Sequence, residues 1–278
     1  MAFLASGCSP AAPLNFLTSP DSLQIDRSIA YGEGPRRELD VYQPKARKNA
    51  PVVVFFYGGS WQSGRKETYF FAAAALAKRG YVVVVPDYRV YPDVHYPDFL
   101  DDGAQAVAWA RRNARRYGGD PGKLFIMGHS AGAYIAAMLT IDPRWLKAAG
   151  VSAHRDVAGL IGLSGPYDFL PIRDRTLITI FGGSKRPETQ PINYVTGGEP
   201  PALLATGGSD SIVDPNNSRR LADKLHAAGD RADVITYAHR GHLETIGAFA
   251  PPLQFLAPVL NDVDAFIARV SAIPKKAS

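Results

Sequence analysis

The 278-residue chain is predicted to fold as an α/β protein, with an about eight-stranded, mostly parallel sheet, helices on both faces and a minimal cap. Three observations carry this prediction. Residues 52–57, 81–85 and 123–128 are short, β-rich and almost continuously apolar, as strands buried on both faces must be. Helix-length segments with apolar residues at helical spacing separate them. The alternation then continues to the end of the chain, which is the pattern of a parallel sheet wrapped by helices.

In order along the chain, residues 25–31 and 38–42 read as two lead-in strands joined by Gly32-Glu33-Gly34-Pro35, both expected antiparallel to the rest. The first buried strand, 52–57, precedes a helix over 68–79. Strand 81–85 leads to a helix over 98–117, which starts after Pro97 with Asp98, Asp101 and Asp102 in its early turns, where acids favour the helix dipole. Strand 123–128, helix 131–141 and strand 157–163 follow. Residues 165–198 form the longest irregular stretch, too short for a second domain and long enough for a small cap. Strand 201–206, helix 216–228, strand 233–238 and a closing helix over 253–270 complete the pattern. One domain is expected over 21–272, with tails at 1–20 and 273–278.

Composition narrows the function. The 26 Gly and 22 Pro are spread along the chain and mark turns, not a low-complexity tract. The formal net charge is +5, but the densest basic run, Arg111, Arg112, Arg115 and Arg116, interrupts a helical pattern and reads as a solvated face. No base-reading motif accompanies it, so no nucleic-acid partner is expected. The single cysteine, Cys8, excludes an intrachain disulfide. Its setting, Phe3-Leu4-Ala5-Ser6-Gly7-Cys8-Ser9, resembles the tail of a bacterial lipoprotein signal, although only seven residues precede it and none is basic. Two readings stand: an exported protein held to a membrane through a lipidated Cys8, or a cytoplasmic protein with a frayed apolar N-terminus. No stretch approaches the ~18 apolar residues of a spanning helix. The oligomeric state leaves no mark on the sequence.

Gly128-His129-Ser130-Ala131-Gly132 lies between a buried strand and a helix. That context makes a G-x-S-x-G pentapeptide meaningful, because a serine at a sharp strand-to-helix turn is exposed in strained backbone, and the flanking glycines keep neighbouring chains from clashing. A serine hydroxyl needs a base to take its proton and an acid to orient that base, expected in the order serine, acid, histidine after successive strands. Asp210, four residues beyond a strand, is the preferred acid. Asp214, just before Pro215, reads better as a cap of the following helix. Of the histidines beyond the acid, His242 on a glycine-marked loop is preferred to His239 as the base, and His226 falls on a helix. The side chain of His129 is expected to point away from Ser130 and to pack. Donors for a tetrahedral oxyanion are expected from the Ala131 N–H and from the glycine turn Tyr57-Gly58-Gly59-Ser60-Trp61. Tyr57, Trp61, Phe169, Leu170 and Leu243, on loops expected to ring the serine, are candidate substrate contacts. No metal-ligand cluster or phosphate loop is found, so acyl-transfer chemistry on a small molecule without metal or organic cofactor is expected.

Taken together, Tyr57-Gly58-Gly59-Ser60-Trp61, Asp87-Tyr88-Arg89, Tyr117-Gly118-Gly119-Asp120-Pro121, Gly128–Gly132, Asp210 with Val213, and Gly241-His242 resemble the α/β-hydrolase superfamily. The nearest resemblance is to its carboxylesterase branch, with the feruloyl-esterase-like and hormone-sensitive-lipase-like enzymes and the prenylcysteine methylesterases. It implies the α/β-hydrolase fold, a Ser130–Asp210–His242 triad, and an oxyanion hole around Gly58, Gly59, Ser60 and Ala131. It also implies that Asp87 and Arg89 are scaffold residues that pair near the glycine turn. Many members carry His where this chain has Tyr57, and the prenylcysteine methylesterases resemble it in having Tyr-Gly-Gly. The expected activity is hydrolysis of short-chain or aromatic esters. Cleavage of an arylformamide or other amide, acyl transfer, and a non-catalytic binding module are the rival readings.

Overall fold

The computed structural model describes residues 12–45 and 48–273. Cys8 and its lipid-anchor reading lie outside the described residues. Eight strands, β1 (Leu23–Ala30), β2 (Glu38–Pro44), β3 (Ala50–Phe56), β4 (Val82–Pro86), β5 (Gly119–His129), β6 (Val157–Leu163), β7 (Ala202–Gly207) and β8 (Ala232–Tyr237), form one sheet in the order β1-β2-β4-β3-β5-β6-β7-β8. From β4 to β8 every pairing is parallel, and β2 is antiparallel to both β1 and β4. Only β2 therefore runs against the rest. The expectation that β1 also opposes them is corrected, because a hairpin reverses the chain once and so returns β1 to the common direction.

The helices are α1 (Ala12–Phe16), α2 (Phe70–Lys78), α3 (Asp98–Asn113), α4 (Ala131–Ile141), α5 (Pro143–Ala148), α6 (Ala153–Asp156), α7 (Arg175–Ile180), α8 (Asn216–Ala227), α9 (His242–Gly247) and α10 (Val259–Ser271). The closing helix starts six residues later than expected. Pro258 has no N–H to donate within a helix interior, and the residues before it make only a single 3₁₀ turn at Pro251–Leu253. Short α1, inside the expected N-terminal tail, is tied to the body by the Asn15 side chain, whose amide donates to the Glu67 carbonyl at 2.8 Å and whose oxygen accepts from the Phe71 N–H at 3.0 Å.

β3 and β4 are buried almost throughout, and every residue of α4 is buried. The chain pattern that reads as continuous apolar runs is thus the sheet centre, covered on both faces. Between β6 and β7 the chain leaves the sheet as a cap containing α7. The cap is pinned by polar contacts to the body. Tyr134 donates its hydroxyl to the Thr189 carbonyl at 2.7 Å, and Asn217 Oδ1 accepts from the N–H groups of Tyr167 and Asp168, each at 2.8 Å.

Candidate active site

Ser130 sits between β5 and α4 with φ 55° and ψ −123°, a left-handed conformation that costs a non-glycine residue on the order of 1–3 kcal/mol. The turn survives because its neighbours leave room. A Cβ at Gly128 would strike the Gly132 backbone, and one at Gly132 would strike the carbonyls of Phe56 and Tyr57. The turn is held by the Ser130 N–H, which donates to the Leu163 carbonyl at 2.9 Å, and by the Ser130 carbonyl, which accepts from Ala133 and Tyr134.

Asp210 lies three residues beyond β7, and His242 opens α9 after β8. Both are 7% exposed. His242 Nδ1 donates to Asp210 Oδ2 at 2.8 Å, while Asp210 Oδ1 accepts from the N–H groups of Ile212 and Val213, each at 2.9 Å. Burial pushes the Asp210 carboxyl up, but the His242 and backbone hydrogen bonds outweigh it and hold the group below the ordinary carboxylate range. Gly207 lets the two loops meet. A Cβ there would collide with the carbonyls of Arg240 and Gly241, and next to it Ser209 N–H donates to Arg240 at 2.9 Å.

His129, directly before Ser130, is buried and lies with its ring centroid 4.9 Å from that of His242. The ends of β5, β7 and β8 thereby bring the serine turn and the Asp210–His242 pair to one edge of the sheet. Asp214 accepts from the Asn216 N–H at 3.0 Å at the start of α8 and pairs with Arg220 at 3.1 Å. His226 lies on α8 and bonds the Ala232 carbonyl, while His239 occupies a turn at φ 58°.

Ser130 opens into a cleft of about 580 Å³, with Ser60, Trp61, Ala131, Phe169 and Leu170 in its walls. Trp61 stacks on Phe169 at 6.2 Å and meets Tyr134 and Phe181 edge-on. Gly58 lies under Ser130, since a Cβ there would come within 3.0 Å of the Ser130 Cβ. Gly59 closes the turn by accepting from the N–H groups of Gln62 and Ser63 at 3.0 Å, with Ser60 and Trp61 at positive φ beyond it.

Two expected substrate contacts lie elsewhere. Tyr57 is fully buried behind the turn. Its ring stacks between Tyr69 and Tyr88, and its hydroxyl donates to Asp87 Oδ1 at 2.6 Å and accepts from Arg36 at 3.0 Å. Leu243 points into a separate apolar groove with Leu14, Tyr69 and Leu253. The expected Asp87–Arg89 pairing is also corrected. Arg89 grips Asp102 at 2.9 Å, a buried carboxylate that Arg37 shares, whereas Asp87 receives Tyr57 and the Lys66 N–H. Both residues lie just beyond the end of β4, in irregular chain where the strand pleat no longer sets their direction, and the two side chains go to different partners.

The sequence reading missed Arg36, Asp102 and Thr245 as supports of this edge. Arg36 reaches Tyr57 and Gly64, Asp102 is shared by Arg37 and Arg89, and Thr245 links the His242 carbonyl to Ser164, contacts that only the folded chain brings together. Among the described residues, no group of three or more His, Cys, Asp or Glu is placed to hold a metal ion, and no helix is long and apolar enough to cross a membrane.

A family model described as BD-FAE matches residues 39–225. Isoprenylcysteine alpha-carbonyl methylesterase ICME of Arabidopsis thaliana is 31% identical over 245 residues, covering 80% of this chain and 57% of that protein. Carboxylesterase NlhH of Mycobacterium tuberculosis is 37% identical over 235 residues, covering 73% of this chain and 70% of that protein. The chain spans somewhat over half the length of the plant methylesterases it matches. Among solved structures, a truncated carbohydrate esterase from gut microbiota superimposes with a TM-score of 0.80 at 21% identity, covering 92% of this chain and 99% of that one. Pyrobaculum calidifontis esterase does so at 0.78 and 24%, covering 95% and 91%. The structural likenesses extend the α/β-hydrolase architecture over nearly the whole chain, and the match over residues 39–225 establishes that the chain belongs to the BD-FAE family.

Proposed function

We propose that the protein is a serine carboxylic-ester hydrolase working through an acyl-enzyme. Ser130 Oγ attacks the ester carbonyl carbon as His242 Nε2 takes its proton. The tetrahedral intermediate collapses, the C–O bond to the alcohol breaks, and the proton passes from His242 to the departing alkoxide. Water then attacks the acyl carbon, giving its proton to the same nitrogen, and Ser130 leaves with that proton restored. Asp210 keeps the proton on Nδ1 and so leaves Nε2 free to act as base.

The observation that carries this reading is the Asp210–His242 hydrogen bond, with the second carboxylate oxygen already committed to two backbone N–H groups. Such an arrangement fixes ring orientation and tautomer together. The oxyanion is assigned to the Ala131 N–H, which opens α4 and has no intrahelical acceptor, together with the turn Gly58, Gly59 and Ser60. The names of the relatives, a methylesterase and a carboxylesterase, support ester chemistry. Trp61, Phe169 and Leu170 in the cleft wall favour small short-chain or aromatic esters, while Arg173, Asp174 and Arg220 give the same cleft a charged side. The triad chemistry calls for no metal or organic cofactor.

Fluorophosphonate labelling tests the reading. The wild-type protein should be labelled on Ser130 and should hydrolyse p-nitrophenyl butyrate, and both should vanish in Ser130→Ala. Labelling at another residue, or hydrolysis that survives the substitution, would refute it.

A further inference from the structure

We propose that His129 is a positioning residue for His242, fixing the backbone of the base to the strand that carries the nucleophile. The inference rests on the esterase reading above. His129 Nε2 lies 3.2 Å from the His242 carbonyl oxygen, and a neutral imidazole that makes this bond must carry its proton on Nε2. Nδ1 of His129 has no hydrogen-bond partner among the described residues. An apolar side chain of the same size would fill this site without leaving a buried lone pair unmatched, so the ring's polar contribution is the single bond to His242.

That carbonyl is gripped from a second side. Thr245 Oγ1 donates to it at 2.8 Å and lies 3.1 Å from Ser164 Oγ. Because the threonine hydroxyl has one proton and spends it on His242, Ser164 must be the donor to Thr245. Ser164 follows β6 directly, at φ 49°. The main chain of His242 is therefore moored to the ends of β5 and β6, while its imidazole is moored to the loop after β7 through Asp210. His129 and Ser130 share one stretch of backbone, so a bond from His129 to His242 sets the height of the base against the hydroxyl it must deprotonate. Burial, with His242 nearby, pushes His129 down to about 3, and Asp210 is the other charged group that faces it. The ring therefore stays neutral, with a constant donor, wherever the protein is folded and active.

The experiment compares His129→Leu, His129→Gln, Thr245→Val and Ser130→Ala with wild type in steady-state hydrolysis of p-nitrophenyl butyrate, with thermal melts of each. His129→Leu should keep KM within about twofold while kcat falls about 10- to 100-fold, the scale of a slightly misplaced catalytic group. His129→Gln, whose amide N–H reaches about as far as Nε2, should recover most of that loss. Thr245→Val, of nearly the same shape, should lower kcat in the same way by a smaller factor. Wild-type kcat in both His129→Leu and Thr245→Val overturns the inference, as does a Gln variant no better than Leu, or a loss confined to KM. If His129→Leu does not fold, Thr245→Val and His129→Gln decide the matter: unchanged kcat in the first or Leu-like inactivity in a folded second overturns it. The two readings fail differently. A wild-type protein without hydrolysis, or an active Ser130→Ala, sinks both, whereas an active wild type, an inactive Ser130→Ala and unaffected His129 and Thr245 variants sink this one alone.

Discussion

The Tyr57 hydroxyl donates to Asp87 Oδ1 at 2.6 Å, behind the glycine turn that closes the cleft. Burial, reinforced by Tyr88 and Asp87, raises the phenol well above its ordinary value, so it keeps its proton and remains the donor. Burial likewise raises Asp87, against the Tyr57 bond and the Lys66 N–H. Tyr57→Phe removes one donor from a carboxylate that solvent reaches poorly, and strips Arg36 of an acceptor. Denaturant unfolding should show a loss of about 1–3 kcal/mol, with KM for p-nitrophenyl butyrate little changed because the ring does not line the cleft.

Replacing Asp210 with Asn reverses the tautomer of the base. Ile212 and Val213 N–H groups will claim the amide oxygen, which turns the NH₂ group toward His242 Nδ1 and forces the ring proton onto Nε2. A protonated Nε2 is unable to accept the serine proton. We expect kcat to drop by about 10³- to 10⁴-fold with a nearly unchanged melting temperature, read by paired kinetics and calorimetry.

Gly132→Ala attacks the nucleophile turn through sterics alone. The added methyl runs into the carbonyls of Phe56 and Tyr57, which belong to the sheet and the glycine turn and have nowhere to retreat. Stability should fall by about 3 kcal/mol or more, and soluble yield with it. A variant that melts within a few degrees of wild type would show that β3 and α4 separate more easily than their contact implies.

Acid should weaken the fold through His129. The unfolded histidine takes up a proton near pH 6.5, whereas the buried ring does so only at about 3. Between those values the unfolded chain holds the extra proton, so stability rises with pH and is lost on acidification, by about 2 kcal/mol from pH 7 to pH 5. Asp210 is displaced in the same direction but acts in a lower window: its contribution is present above the unfolded carboxylate value and is lost as pH falls through its lower folded value, outside that interval. Urea melts at pH 7 and 5 should therefore show a smaller difference for His129→Gln than for wild type.

The cleft sets a limit on acyl length. With about 580 Å³ between the glycine turn and the cap, and Trp61 against Phe169 in its wall, a butyrate fits more readily than a palmitate. The C4 p-nitrophenyl ester should be turned over with the higher kcat/KM. Faster turnover of the C16 ester would contradict this use of the cleft.

Where local sequence dictates structure, the chain is legible. Val52–Val54 and Val82–Val85 read as strands because burial on both faces leaves no polar position, and Gly128 and Gly132 announce a turn that tolerates no Cβ. The spacing of Ser130, Asp210 and His242 follows from which strands end at one edge. Other features depend on partners far away in sequence. An aromatic residue at a strand end, such as Tyr57, suits a cleft wall or a buried stack equally well, and only Asp87, Arg36 and Tyr69 decide between them. Arg89 finds Asp102 on α3, which no pattern within Asp87-Tyr88-Arg89 reveals. Leu243 adjoins His242 in sequence, yet helical geometry in α9 swings it toward Leu14 and Leu253.

The cap leaves the sheet after β6 and returns at β7, and these strands are immediate neighbours, with Leu163 opposite Ala205. A lineage can therefore lengthen, shorten or exchange that excursion without altering the register of any strand that ends at Ser130, Asp210 or His242. Selectivity and bond-breaking machinery are thereby free to evolve on separate schedules, and swapping this one stretch between relatives is the economical way to redirect the proposed activity toward new substrates.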